Sequence, residues 1–175
     1  MLYFVTDFDG VFNFEGSRSK ATRNKNMPGY LRKGDVYPAS GWERLNWSAE
    51  LVSKLNAAHK TGTFRWVWLT TWVEHTHMVN YALGTTTDDT VMWDPAVPSR
   101  ATLEELVAIR MARKYEALKT LVKDDVFVWV DDDAGVVYNP DDFSQPHLTV
   151  TPDPTYGITL PELDTILTFL NNHSN

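Results

Sequence analysis

Short apolar runs alternate along the chain with longer segments whose apolar residues recur at helical spacing. Five runs predict strands, because each is short, rich in branched or aromatic residues and bounded by polar or turn-forming residues. They cover residues 2–5, 64–69, 90–93, 126–130 and 148–150. The run at 126–130 is apolar at every position, which is typical of a central parallel strand that is buried on both faces.

Four segments predict helices, because their apolar residues recur every three or four positions. The first begins after Ser48, a suitable N-cap residue, and is stopped by Gly62. The others span about 73–83, 101–121 and 160–170, and the sequence leaves open a break near Ala112 in the second of these. Strands that alternate with helices predict an α/β fold, with a central parallel sheet of about five strands and right-handed crossovers.

Residues 13–47 form the longest stretch without a period, and we expect them to be an irregular flap within one domain that spans residues 1–175. The charged residues from Arg18 to Lys33 are all basic: Arg18, Lys20, Arg23, Lys25, Arg32 and Lys33. Such a run is usually a solvated surface loop. In a chain of net charge −7, it is also a candidate surface for a polyanionic ligand.

Composition restricts the class of protein. The chain has 43% hydrophobic and 22% charged residues, which is ordinary for a soluble globular protein. It has no cysteine, which excludes disulfides, zinc thiolates and a cysteine nucleophile. No signal-type segment or membrane-length apolar run occurs, so we expect a cytoplasmic protein without a membrane partner. The tryptophans in or beside predicted strands are expected to pack in the core: Trp66, Trp68, Trp72 and Trp129.

The first predicted strand is followed by Asp7-Phe8-Asp9-Gly10. Two carboxylates with one residue between them repel each other, and a divalent cation such as Mg²⁺ relieves that repulsion. Gly10 lets the backbone turn sharply or lets a ligand approach it closely. A turn or helix cap without chemistry is the alternative interpretation of so short a motif.

More polar residues fall at the carboxyl ends of other predicted strands, namely Thr70, Thr71, Asp131 and Asp132. The carboxyl ends of parallel strands lie at one edge of a sheet, where ligands bind. The sequence therefore predicts a single site at this edge. By contrast, His75 and His77 are two residues apart and do not share a helix face, so we expect surface or supporting residues there and not a metal pair.

The ordered set of motifs resembles the haloacid dehalogenase (HAD) superfamily of phosphatases. The resemblance rests on Asp7-Phe8-Asp9-Gly10-Val11, Leu69-Thr70-Thr71, Arg113-Lys114-Tyr115 and Val130-Asp131-Asp132-Asp133. It covers nearly the whole chain and implies a Rossmann-like HAD fold. The first gap between the motifs is filled by the flap and one helix, and the second by two helical segments and a short strand that the sheet needs. The fold is therefore expected to be capless or to carry a minimal cap, with a site open to bulky substrates.

A narrower resemblance involves residues 68–72, 128–133 and 150–159. These segments are similar to the small HAD proteins of actinobacteria and their phages, which are grouped with the HAD domains of multidomain RNA-repair proteins. That grouping implies the processing of a nucleic-acid end. The long basic flap departs from the pattern of those proteins.

The resemblance implies phosphoryl transfer through an aspartyl-phosphate, with Asp7 as the nucleophile and Asp9 as the general acid and base. It also implies a Mg²⁺ cofactor held by the Asp7 side chain, the Asp9 backbone carbonyl and Asp132, with Asp131 in close support. Thr70 would hold the transferring oxygens, and Lys114 would neutralise charge. Lys119 and Lys123 are the alternatives to Lys114, and Asp133 is expected only to cap the next turn.

The implied function is a Mg²⁺-dependent phosphatase that acts on a phosphate monoester of a nucleotide or a nucleic-acid end. A small-molecule phosphatase and a non-catalytic binding protein on the same scaffold are the alternatives. The expected substrate-binding residues are two at strand ends and four in the flap: Gly10, Thr71, Arg18, Lys20, Arg23 and Lys25.

Overall fold

A five-stranded parallel sheet lies at the centre of the protein, in the strand order β5-β4-β1-β6-β7. The structure is a computed structural model and describes residues 1–14, 24–27, 29, 31–38 and 41–174. The strands are β1 (Leu2–Thr6), β2 (Leu31–Val36), β3 (Glu43–Ser48), β4 (Arg65–Trp68), β5 (Asp89–Thr90), β6 (Val126–Val130) and β7 (His147–Val150). This confirms the predicted α/β fold with a central parallel sheet of five strands.

Four α-helices within the described ranges flank the sheet: α1 (Ala49–His59), α2 (Thr76–Leu83), α3 (Leu103–Val122) and α4 (Leu160–Asn172). Ser48 caps α1 as predicted, because its hydroxyl accepts a hydrogen bond from the Leu51 N–H at 3.1 Å. Helix α3 runs without a break through Ala112. Within the part of the chain described, no helix combines the length and the apolarity that crossing a lipid bilayer requires.

The sheet is buried on both faces because its strands are apolar at successive positions. Phe4, Trp66 and Trp68 point to one face, where they pack in a cluster with buried residues of α1, α2 and α4. Val5 and Trp129 point to the other face, where they pack with α3. The tryptophans of β4 and β6 are therefore core residues, as predicted.

The stretch expected to be irregular contains regular structure. Strands β2 and β3 pair antiparallel and form a hairpin within residues 31–48, so the prediction of an irregular flap was wrong for this part. The sequence of β2 shows no alternation of apolar and polar residues, because Arg32, Lys33 and Asp35 are all exposed. The hairpin is joined to the loop after β1: Asn46 N–H donates to Asn13 Oδ1 at 2.8 Å, and the Asn46 carbonyl accepts from Phe14 N–H.

The third predicted strand, 90–93, is also corrected. The strand β5 comprises only Asp89 and Thr90. Val91 N–H still donates to the Trp68 carbonyl at 2.8 Å, after which the chain leaves the sheet edge. Trp93 is consequently not a strand residue, and its side chain lies near the carboxyl end of β4.

Candidate active site

Asp7 lies at the middle of the carboxyl edge of the sheet, because β1 is the central strand and has β4 and β6 as its neighbours. Its backbone N–H continues the ladder by donating to the Val130 carbonyl at 2.9 Å. Its Oδ1 accepts a hydrogen bond from Phe8 N–H at 2.6 Å, which fixes the orientation of the carboxylate. The side chain of Asp7 is 12% exposed, so it is both held and reachable.

Lys114 reaches Asp7 from helix α3. Its Nζ lies 2.5 Å from an oxygen of Asp7 and 2.5 Å from an oxygen of Asp131, and the residue is buried. Burial lowers the pKa of Lys114, but the two carboxylates more than offset this, so the pKa lies above its usual value and the ammonium is retained. The structure thus brings Lys114 to Asp7, whereas Lys119 pairs with Glu116 and Lys123 ends the helix.

Three carboxylates form an acidic cluster at this edge. Asp7, Asp131 and Asp132 each offer an oxygen, and these oxygens all lie within 4.8 Å of one another. Burial, together with the charges of Asp7, Asp131 and Asp133, raises the pKa of Asp132 to about 7. Burial also raises the pKa of Asp131, although Lys114 opposes the shift. One ammonium does not neutralise three carboxylates, and an excess of hard oxygen ligands fits a divalent cation such as Mg²⁺.

Gly10 makes room for this cluster. Its φ is +68°, and a Cβ built on it would lie 2.3 Å from Cγ of Asp132. Any side chain at this position would therefore displace the Asp132 carboxylate. Gly10 thus adjoins the acidic cluster, and its expected role in binding the substrate stays a prediction.

Asp9 is held by two side chains that sequence reasoning did not assign to the site. Its Oδ1 accepts from Asn13 Nδ2 at 2.7 Å, and its Oδ2 accepts from Trp72 Nε1 at 2.7 Å. Trp72 was expected to be a core residue, and its ring does pack edge-on against Phe8. A polar contact of an indole N–H cannot be read from apolar periodicity, although the position of Trp72 four residues beyond the end of β4 was a signal.

The two threonines after β4 occupy different environments. Thr70 is fully buried, and its hydroxyl lies 3.4 Å from Trp72 N–H, in the geometry of a local cap. Thr71 is exposed and lines the cleft. Thr70 as the residue that holds transferring oxygens therefore stays a prediction, while the structure places Thr71 where a ligand can reach it.

A cleft extends on both sides of Asp9 and Thr71 as two cavities of about 240 Å³ each. The first, which we call the α3 cavity, is lined by residues of the acidic cluster and of α3, including Asp7, Asp132, Lys114, Arg110, Met111 and Trp93. The second is lined by Asn13, Pro38, Glu43, Trp72 and His75. Pro38 and Glu43, beside the ends of β2 and β3, thus border the site together with His75, whereas His77 is exposed.

The loop before α4 supports the turn that carries Asp9. Ile158 N–H donates to the Val11 carbonyl at 3.0 Å, and a Cβ on Gly157 would lie 2.4 Å from that carbonyl oxygen. Gly157 has φ +64°, so both its conformation and this close approach favour glycine. The segment 150–159 is therefore connected to the site through the backbone.

The basic run is only partly described. Lys25 is exposed, and Arg18, Lys20 and Arg23 lie outside the described residues. Arg32 and Lys33 do not line the two cavities at Asp9. Together with Lys60 they line a larger groove, of about 630 Å³, between the hairpin and helices α1 and α2.

Comparison with known families gives one match over most of the chain. Residues 3–163 match the family described as HAD domain in Swiss Army Knife RNA repair proteins. No curated protein and no solved structure matched the chain. The matched range contains the acidic cluster, Asp9, both threonines and Lys114.

Proposed function

Because the chain belongs to the family of HAD domains in Swiss Army Knife RNA repair proteins, we propose that it is a Mg²⁺-dependent phosphatase that hydrolyses a phosphate monoester on a nucleotide or a nucleic-acid end. The observation that carries the proposal is the convergence of Asp7, Lys114 and Asp132 at the floor of one cavity. A fixed carboxylate beside an ammonium and a cluster of oxygen ligands suits attack on an anionic phosphate.

Asp7 is the proposed nucleophile. Its Oδ1 is held by Phe8 N–H, and its charge is balanced by Lys114, so the carboxylate is oriented before the substrate arrives. An oxygen of Asp7 forms a bond to phosphorus, and the bond from phosphorus to the leaving oxygen breaks. Water then attacks the aspartyl-phosphate and releases inorganic phosphate, which regenerates the carboxylate.

Asp9 is the proposed general acid and base. It stands two residues from Asp7 and lines both cavities, so it faces the leaving oxygen and the incoming water in turn. It gives a proton to the leaving oxygen and later takes one from water. Asn13 and Trp72 hold its two oxygens in place, which limits the carboxylate to one orientation.

Asp7, Asp131 and Asp132 are the residues proposed to hold Mg²⁺. When bound, Mg²⁺ screens the repulsion between the nucleophile and the phosphate. Asp131 also contacts Lys114 and accepts from Asp133 N–H at 3.0 Å, so it positions the lysine as well as the cluster. Gly10 keeps the space that Asp132 needs.

The test is Asp7→Asn, which keeps the size of the side chain and removes its charge. Turnover of 4-nitrophenyl phosphate with Mg²⁺ is expected to fall by at least about a thousandfold, as for the loss of a covalent nucleophile. The matched control is Asp164→Asn, because Asp164 is an exposed residue of α4. Circular dichroism checks that both variants are folded. Turnover close to wild type in Asp7→Asn would overturn the aspartyl-phosphate mechanism.

The substrate is tested with a panel of nucleotides, sugar phosphates, and oligonucleotides that carry a 3′- or a 5′-phosphate. We expect the highest kcat/KM on a nucleotide or an oligonucleotide end. Activity restricted to sugar phosphates would favour a small-molecule phosphatase. No turnover of any phosphate monoester would favour a binding protein on the same scaffold.

A further inference from the structure

One face of helix α3 forms a wall of the α3 cavity. The residues on this face recur at intervals of three and four: Val107, Arg110, Met111 and Lys114. Arg110 therefore lies one helical turn from Lys114, about 6 Å along the helix axis. The turns of α3 before Met111 have no fully buried residue, and Leu106, Val107 and Arg110 in these turns border the cavity.

Arg110 carries a charge that no carboxylate in the described part of the chain pairs with. Its Nε donates to the Pro95 carbonyl at 3.1 Å, which orients the guanidinium. Among the described residues, no carboxylate lies within 4 Å of that guanidinium. The neighbouring Arg113 differs, because its Nη1 donates to the Asp94 carboxylate and to the Ala96 carbonyl. Lys114 differs too, because it already contacts two carboxylates.

Trp93 adds an aromatic surface to the same cavity. Its Nε1 donates to the Thr70 carbonyl at 2.9 Å, which fixes the half-buried ring beside the end of β4. Leu106 and Val107 continue the apolar surface on the helix side. An aromatic ring next to a cation is the combination that binds a base and the phosphate attached to it.

We propose that the wall of the α3 cavity formed by Arg110 and Trp93 is a subsite beside the reacting phosphate, in which Arg110 binds a second phosphate next to the one that is hydrolysed and Trp93 stacks on the base. The turn between Lys114 and Arg110 has a length similar to the separation of successive phosphates in a polynucleotide. The inference rests on the proposed phosphatase function and narrows its substrate class to nucleotides with two separate phosphates and nucleic-acid ends.

The kinetic test compares a nucleoside 3′,5′-bisphosphate with the corresponding 3′- and 5′-monophosphates. The wild type is expected to have a lower KM for the bisphosphate than for the monophosphate that it hydrolyses. In Arg110→Gln the KM of the monophosphate divided by the KM of the bisphosphate is expected to fall roughly tenfold, as for the loss of a charge-assisted hydrogen bond. Trp93→Leu should raise the KM of both nucleotides, because it removes the stacking surface, whereas Trp93→Phe should largely retain it.

Arg113→Gln is the matched control. Arg113 lies on the same helix and holds the same segment, residues 94–96, through its contacts with Asp94 and Ala96. If Arg110 merely anchored this segment through Pro95, the two variants would change the KM ratio equally, which would overturn the proposal. A selective effect of Arg110→Gln supports it.

Binding measurements separate this inference from the proposed function. Calorimetric titration of the Asp7→Asn protein with the bisphosphate and the monophosphate does not depend on turnover. A wild type that hydrolyses 4-nitrophenyl phosphate but does not distinguish the two nucleotides overturns the subsite and leaves the phosphatase in place. A wild type that has no phosphatase activity but binds the bisphosphate in an Arg110-dependent way would overturn the phosphatase function and leave the subsite in place. Absence of both the preference and the binding overturns the subsite.

Discussion

At the scale of single residues, Asp132 is the side chain whose chemistry depends most on its surroundings. Its pKa is raised to about 7 from an ordinary value of 3.8, because it is partly buried among other carboxylates. The fold therefore favours the protonated form. Asp132 contributes stability that is fully present below about pH 4 and is lost as the pH rises through about 7.

Asp132→Asn is consequently expected to stabilise the metal-free protein. In EDTA at pH 8 the variant should melt at a higher temperature than the wild type, and the difference should shrink as the pH falls towards 5. Added Mg²⁺ should raise the melting temperature of the wild type and have little effect on the variant. Thermal denaturation at several pH values checks both effects.

The exposed Asp164 again serves as the control, since Asp164→Asn should show neither the pH dependence nor the change in the response to Mg²⁺. A variant that melts below the wild type in EDTA at pH 8 would contradict the electrostatic explanation. A wild-type response to Mg²⁺ that persists in Asp132→Asn would place the cation elsewhere.

The convergence of the strand-end residues could be predicted from the sequence, whereas their individual side-chain contacts could not. Asp7, Asp131, Asp132 and Thr71 were predicted to converge, because parallel strands bring their carboxyl ends to one edge, and the structure does place them there. The contacts of Asp9 with Asn13 and Trp72 were not predicted. They depend on side-chain directions in turns, which have no periodic pattern in the sequence.

At the scale of elements, α3 combines two functions along its length. Its second half is anchored in the core by Met111, Tyr115 and Leu118. Its first turn holds Leu103, which is 78% exposed. The apolar spacing of 101–121 predicted the helix correctly. It did not reveal that the first turns face a cavity, because an apolar residue has the same periodicity in either setting.

Thr102→Ala tests this division of α3. Thr102 and Glu105 form a capping box, and losing a cap costs about 1 kcal/mol. Because the first turns of α3 have no fully buried residue, we expect local fraying with a small change in global melting temperature. The KM for the nucleoside bisphosphate should rise by up to about fivefold, the equivalent of that energy.

The same substitution in another capping box provides the control. Thr159 and Glu162 cap α4, which begins next to the buried Leu163. Thr159→Ala should lower the melting temperature more than Thr102→Ala and should leave the KM of the bisphosphate closer to that of the wild type. The opposite ranking in the two measurements would show that α3 is not divided in this way.

Two elements differ from their predictions for physical reasons. The hairpin β2–β3 was missed because one of its strands, Leu31–Val36, buries only Val36 fully, so no apolar alternation marks it. Strand β5 was predicted too long because residues 91–93 are apolar, although only Asp89 and Thr90 pair with β4. Instead of extending the strand, Trp93 lines the α3 cavity, Val91 packs against the core and Met92 is exposed.

At the scale of the whole molecule, the net charge of −7 opposes the binding of a polyanion. A polyanion would therefore have to bind where basic side chains are clustered. Replacing Arg18, Lys20, Arg23 and Lys25 by Gln should raise the KM of a phosphorylated oligonucleotide more than that of 4-nitrophenyl phosphate. The salt dependence of log KM should also become shallower, by roughly 0.7 for each phosphate that the flap no longer neutralises.

A second variant distinguishes whether the basic residues of the flap or those of the groove bind the oligonucleotide. Arg32, Lys33 and Lys60 line the groove between the hairpin and helices α1 and α2, and their replacement by Gln removes the charge of that groove alone. If only this second variant weakened the salt dependence, the oligonucleotide would bind in the groove and not along the flap. Equal losses on both substrates in the first variant would mean that the flap supports the site without contacting the oligonucleotide.

The central position of β1 has a consequence for the order in which the protein folds. The strand that carries Asp7 comes first in the chain, but both of its neighbours, β4 and β6, come much later. The contact between Asp7 and Lys114 joins residues 107 positions apart. Such distant contacts form slowly, because closing a long loop costs entropy before any contact compensates. We therefore expect the acidic cluster to be complete only late in folding, and a cation bound there would act mainly by slowing the unfolding of the folded chain.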